Sequence, residues 1–232
     1  MRFDPQLGLR GINVPIVALL IHKFKCNVED YQINPIVQSV VDWTNQHYTL
    51  EKIKNNEIIS KYRAFYWKYL NIDPTKTRPA SEALIRRILA QKPLPKISLF
   101  VDLYNLASIK SLISLGAYDF DKINLPISIR PVVPGEKFKP IGKDAQIIPE
   151  TAIVTSDANQ TILCQYPYRD SEVTMVTSTT QTILLLAYGV NGISNAQLES
   201  SIQITLEFLN QCKDQGILEF QVDPIQLFNQ SY

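Results

Sequence analysis

LPKISLFVDLYNLASIKSLISLGAYDFDKINLPISIR, residues Leu94–Arg130, sets two carboxylates and an amide, Asp102, Asn105 and Asp119, among apolar residues that read as core. A polar group stranded in such company costs a few kcal/mol, so each of the three must be hydrogen-bonded or put to use. The run Ile97–Leu106 suits a strand or a buried helix, and its continuity to Leu115 predicts helix for the second half. Asp102 and Asn105 then share one helical face. Gly116–Asp119 reads as a turn into Phe120–Ile123. Leu125–Val133 reads as a strand with Ile127 and Ile129 inside and Ser128 and Arg130 on a wet face. Pro134-Gly135 turns the chain, with Glu136 as a turn residue. Helix and turn capping would account for Asp102 and Asp119.

Upstream, Gly11–Lys23 is β-branched and apolar and predicts a buried strand. Asn34–Trp43 has helical spacing through Ile36, Val37, Val40 and Val41. Leu50–Ile72 predicts another helix, with Ile58, Tyr62, Phe65, Tyr66 and Tyr69 as its apolar stripe. Lys61, Arg63 and Lys68 interleave with the aromatics. That pattern is either a core stripe beside a solvated basic face or a nucleic-acid surface of phosphate contacts and stacking. Asn71–Thr75 breaks the helix at Pro74. In TRPASEALIRRILAQKPLP, Pro79 suits a first turn, and Ala83, Leu84, Ile88 and Leu89 face inward. Glu82 and Arg86, spaced i,i+4, either support this helix or clamp a ligand.

Downstream, Phe138–Ile141, Gln146–Ile148, Ala152–Ser156 and Thr161–Gln165 are short strands separated by turn signals, as in an antiparallel meander. Thr174, Thr177, Thr179, Thr180 and Thr182 begin in strand-like alternation and then cap a helix through Leu186 and Tyr188. Ala196–Gln211 is a final helix with Asn195 as its cap and Leu198, Ile202, Thr205, Leu206 and Leu209 inward. Ile217–Val222 adds a strand. Helices at both ends around a β-rich middle make an α+β protein.

The 232 residues, 45% hydrophobic and 19% charged, fit one globular domain with an ample core. No apolar run approaches the ~20 residues of a membrane-spanning helix. The start, MRFDPQLGLRG, does not read as a signal peptide. Cys26, Cys164 and Cys212 are scattered and imply no disulfide framework, so a cytoplasmic protein is the simplest reading. The net charge is only +1, but its distribution is uneven. Lys61–Lys96 holds nine bases against two acids, and the chain from Asp144 onward holds ten acids against two bases. Such polarity can steer a polyanion to one face, unless the segments interleave in space. Phosphate-cradle glycine motifs are absent. His22 and His47 lie far from the polar cluster, so a histidine metal site or a Ser–His triad is not expected, and no cofactor is implied. Any chemistry falls to carboxylates, Arg169, Asn105, hydroxyls or the substrate itself.

Val101-Asp-Leu-Tyr-Asn105, followed by Gly116-Ala-Tyr-Asp-Phe-Asp-Lys-Ile123, Ile129-Arg130 and Pro134-Gly-Glu136, resembles the B3/B4 domain of the phenylalanyl-tRNA synthetase β subunit. There V-D-x-x-N and H-A-Y-D-x-D-K-[IL] stand at the same spacing. RPASEALIRR, YPYRDS and the later T-x-x-T resemble the free-standing proteins of that family, and the likeness runs from Arg78 to Gly192. It implies a three-layer α+β fold with a β-sandwich core flanked by helices. Residues 78–192 would form the core, 1–77 an N-terminal elaboration, and 193–232 a C-terminal helix and tail. The synthetase domain hydrolyses mischarged tyrosyl-tRNA. The resemblance therefore implies a factor that binds tRNA or aminoacyl-tRNA and deacylates it in trans, without aminoacylation. Asn105 matches a pocket asparagine, whereas the family's editing histidine falls at Gly116. Arg169, Asp170 or Glu172 stands in the region of the family's pocket glutamate. The implied chemistry rests on Arg169, Asp170 and Asn105, with Tyr118, Gly116, Glu172, Glu82 and Thr177 around the substrate. Arg78, Arg86, Arg87, Lys61, Arg63 and Lys68 would meet the RNA. Arg169–Asp170 as a local salt bridge stays open, as do a non-catalytic RNA- or amino-acid-binding module and a hydrolase of small esters or amides.

Overall fold

The computed structural model describes residues 3–5, 12, 14–29 and 31–228. In chain order its elements are β1 (Phe3–Pro5), β2 (Ile16–Cys26), α1 (Asn34–His47), α2 (Leu50–Lys54), α3 (Glu57–Tyr69), α4 (Ala80–Leu89), α5 (Leu99–Ser111) and β3 (Ser114–Asp119). They continue with β4 (Ile127–Pro131), β5 (Lys137–Phe138), β6 (Gln146–Ile147), β7 (Ile153–Ser156), β8 (Ile162–Gln165), β9 (Arg169–Asp170), β10 (Ile183–Tyr188), α6 (Asn195–Asp214), β11 (Leu218–Val222) and β12 (Gln226–Phe228). The architecture is α+β. One sheet runs β1-β4-β7-β8-β9, a second runs β11-β2-β10-β3 with β12 also on β2, and β5-β6 is a separate hairpin.

The second sheet draws strands from the N-terminal, middle and C-terminal thirds of the chain. β10 sits between β2 and β3, antiparallel to both, with Leu184 opposite Leu20 on one side and Tyr118 on the other. Helices α5 and α6 pack on each other, α6 against β2, β10 and β11, and α5 against β3. Helices α1 and α4 cover α5 in turn. The two sheets meet through side chains: Tyr166 sets its ring edge-on to Tyr188, 5.0 Å between centroids, and its hydroxyl donates to the Gly189 carbonyl.

Several elements depart from the expectations, each for a local reason. Gly116–Asp119 is not a turn but the last four residues of β3, buried throughout. Ile183–Tyr188 is a strand, not the end of a helix. Its six residues are apolar because it is covered on both faces, and such a run carries no period to separate strand from helix. Strand β4 has no wet face. Ser128 and Arg130 are both buried, and Arg130 forks onto Glu136 at 2.6 and 2.9 Å while its Nε donates to Ser156 at 3.1 Å. Glu136 is therefore an ion-pair partner as well as a turn residue, and the Arg130 guanidinium holds its carboxyl below the usual range. Asn56 caps α3 with its side chain, splitting the expected Leu50–Ile72 helix in two, and Ile59 rather than Ile58 joins Tyr62, Phe65 and Tyr66 inside. Helix α5 is continuous from Leu99. The N-cap of α6 is Ser194, not Asn195, in a capping box with Gln197. No helix among the described residues is long and apolar enough to cross a membrane.

Candidate functional site

The tract Tyr166–Ser171 returns the chain beside β8, and the two residues of β9 pair with it: Asp170 opposite Cys164, Arg169 opposite Gln165. Successive side chains of a strand point to opposite faces. Asp170 therefore turns toward the second sheet, and Arg169 turns away to lay its guanidinium 5.6 Å over the Tyr168 ring. The two are not a salt bridge. The Asp170 carboxylate accepts a hydrogen bond from the Tyr118 hydroxyl at 2.5 Å. That hydroxyl lies 2.5 Å from the hydroxyl of Tyr188. Tyr118 has one proton and directs it at the carboxylate, so Tyr188 donates to Tyr118 and the chain of bonds runs Tyr188 to Tyr118 to Asp170. Gly116 makes this approach possible. A Cβ there would stand 2.6 Å from the Tyr118 hydroxyl, 2.9 Å from the Tyr188 ring and 3.2 Å from the Asp170 carboxylate.

Burial pushes the Asp170 carboxyl up to about 6, with the Tyr118 hydrogen bond acting in the opposite direction. Burial, and then the Asp170 charge, hold the Tyr118 phenol far above its ordinary value. Cys164 is pushed up to about 12, chiefly by burial, so it is a thiol at neutral pH and no nucleophile. A carboxyl poised near 6 and held by a fixed donor can take a proton from water and return it.

The other sequence-derived candidates are distributed around this cluster. Asn105 lines a separate cavity of about 610 Å³ among α1, α4, α5 and residues 91–96. Asp102 lines it too, accepting from Tyr31 at 2.6 Å and from the Ile97 amide at 2.9 Å. Tyr104, between them in sequence, lies within reach of the charges of both Asp170 and Asp102. Thr177 lines a second hollow of about 470 Å³ with Tyr31 and Ser98. Glu172 pairs with Lys139 at 2.6 Å. Glu82, wholly buried, receives Arg63 at 2.9 Å and Arg86 at 2.7 Å. Arg87 donates to the Pro93 carbonyl at 2.8 Å, and Lys61 pairs with Glu57 at 2.6 Å. Arg78 and Lys68 are exposed. The structure thus brings together Gly116, Tyr118 and Asp170, and separates Asn105, Thr177, Glu172 and Glu82 from them.

A family model described as the B3/4 domain matches residues 61–210. The chain belongs to the B3/4 domain family. Among solved structures it is similar to an N-terminal fragment of the phenylalanyl-tRNA synthetase β subunit from Pyrococcus horikoshii. That likeness has 16% identity and a TM-score of 0.44, over 60% of this chain and 47% of that one. The chain therefore spans less than half of the solved fragment. A search of the curated proteins finds no match.

The B3/4 match starts inside α3 and ends inside α6, so β2, the long strand beside β10, lies outside it. Two residues of the cluster around Asp170 escaped sequence reasoning. Tyr188 closes an apolar run whose period was ambiguous, and Cys164 stood only among three scattered cysteines that imply no disulfide framework. Pairing Tyr188 with Tyr118 needs the β3–β10 register, which no local pattern carries. Among the described residues, no group of three or more His, Cys, Asp or Glu is placed to hold a metal ion.

Proposed function

We propose that this B3/4 protein is a trans-acting deacylase that hydrolyses the ester of a mischarged aminoacyl-tRNA. The observation that carries the reading is the Asp170 carboxylate, pushed up to about 6 and fixed by Tyr118 at 2.5 Å beside Gly116. Family membership and the domain's resemblance to the synthetase editing domain support an aminoacyl-tRNA substrate. In the proposed reaction Asp170 accepts a proton from water as the water oxygen bonds to the ester carbonyl carbon. The tetrahedral intermediate then expels the ribose oxygen, which takes the proton back from Asp170, leaving free amino acid and tRNA. Tyr118 and Tyr188 orient the carboxylate without giving up their own protons. Arg169, turned to the outer face, suits the phosphate backbone, so Arg169→Ala should raise KM more than it lowers kcat. An activated ester held in position needs modest further help, which a single well-placed base supplies.

A panel of mischarged tRNAs tests the proposal directly. At least one amino acid should be released faster than in buffer, and Asp170→Asn should slow that release by about a hundredfold or more. Salt-dependent tRNA binding with no release across the complete panel would reduce the protein to a binding module and end the deacylase reading.

A further inference from the structure

Helix α3 buries Ile59, Tyr62, Phe65 and Tyr66 and leaves Trp67 at 66% exposure, an unusual position for so large an apolar ring. Arg63 precedes it by one turn on the same side of the helix. Lys68 follows it, with its ammonium 5.0 Å from the Tyr69 ring. Ser60 and Ala64, exposed and small, stand at helical spacing from Trp67, so α3 itself leaves the indole uncrowded. The neighbouring acids are already engaged. Glu57 pairs with Lys61, Glu82 holds Arg63 and Arg86, and Asp73 accepts from Thr75 at 2.7 Å. The patch is a lone aromatic among cations, not a contiguous apolar surface of the kind another protein would bury. Its neighbour Tyr66 also reaches the tract that carries Arg169. Tyr66 packs 5.8 Å from the ring of Tyr168, and the Arg169 guanidinium lies over that same ring.

We infer that Trp67 is a stacking platform for an unpaired base of RNA, with Lys68 on an adjoining phosphate. The inference rests on the reading of RNA as the partner. It adds to that reading the residue and the single-stranded character of the segment bound. Stacking is indifferent to base identity because every base has a π-face, so the platform would position the strand without selecting its sequence.

The chain has two tryptophans, so Trp43→Phe leaves Trp67 as the sole indole reporter. Titrating that variant with a single-stranded RNA 12-mer should quench its emission, and a hairpin duplex of the same length should quench it less. In the otherwise unaltered protein, Trp67→Ala should weaken binding of the 12-mer by about tenfold, and Trp67→Phe by only a fewfold. Unquenched emission at saturating RNA, or unchanged affinity in Trp67→Ala, overturns the inference. So does self-association that disappears with Trp67→Ala, which would make the patch a protein contact. If Trp67→Ala binds RNA normally and deacylation persists, the platform fails while the functional reading stands. If the protein neither binds RNA nor releases amino acid, both fall together.

Discussion

A single carboxyl, Asp170, carries the pH behaviour expected of this protein. Its folded value of about 6 lies above the ordinary aspartate value of about 3.9. The fold thus favours the neutral form. That stabilisation is fully present below about pH 4 and is lost as pH rises through about 6. Asp170→Asn mimics the neutral form and keeps an acceptor for Tyr118. It should be more stable than the parent by roughly 1–2 kcal/mol at pH 7–8, after discounting for partial exposure, and equal to it near pH 4. Urea unfolding at the two pH values checks this. Activity should run the other way, rising through about pH 6 as the base ionises. Gly116 is the second decisive residue. Gly116→Ala drives a methyl to 2.6 Å from the Tyr118 hydroxyl and 2.9 Å from the Tyr188 ring, both anchored on buried strands. We expect a loss of roughly 1–3 kcal/mol, together with a shifted pH–rate profile as Tyr118 leaves Asp170.

At the scale of elements, α3 and α4 are joined through Glu82. Glu82 is wholly buried, while the side chains of Arg63 and Arg86 are 18% and 24% exposed. Removing the carboxylate leaves two partly buried guanidinium groups without their shared acceptor. Glu82→Ala should therefore cost roughly 2–4 kcal/mol, near the range for breaking a buried pair. Arg86→Lys, which keeps the charge but loses the guanidinium geometry, should cost less. Denaturant midpoints rank the two. The capping box of α6 is a more local device: Ser194 accepts from the Gln197 amide at 3.3 Å, and Gln197 returns the bond at 2.9 Å. Ser194→Ala should lower stability by about 1 kcal/mol, seen as a shifted urea midpoint at constant slope.

For the whole molecule, a net charge of +1 conceals a basic segment that includes α3 and α4. RNA affinity should therefore depend steeply on salt although the protein is almost neutral. Engaging two single-strand phosphates, at Lys68 and Arg169, predicts roughly a sevenfold loss between about 50 and 200 mM salt. Lys68→Glu should flatten that dependence, and fluorescence anisotropy at several salt concentrations measures the slope.

Local pattern determined much of this. The helices α1, α4 and α6, the β7–β8 meander and the α+β class follow from spacing, caps and turns that lie within a few residues of each other. The B3/4 likeness was legible in the V-D-x-x-N and Gly-Ala-Tyr-Asp spacings, and YPYRDS marked Asp170. What escaped depended on partners distant in sequence. Six consecutive apolar residues in β10 became a strand because β2 and β3 flank it, and Arg130 became a core residue because Glu136 and Ser156 meet it. The strand pleat separated Arg169 from Asp170, which the sequence had set side by side. Tyr118, Tyr188 and Asp170 converge because two sheets face each other, and Gly116 leaves the room in which they meet. Periodicity reports which side of an element is apolar; only packing decides which polar groups share the space between two elements.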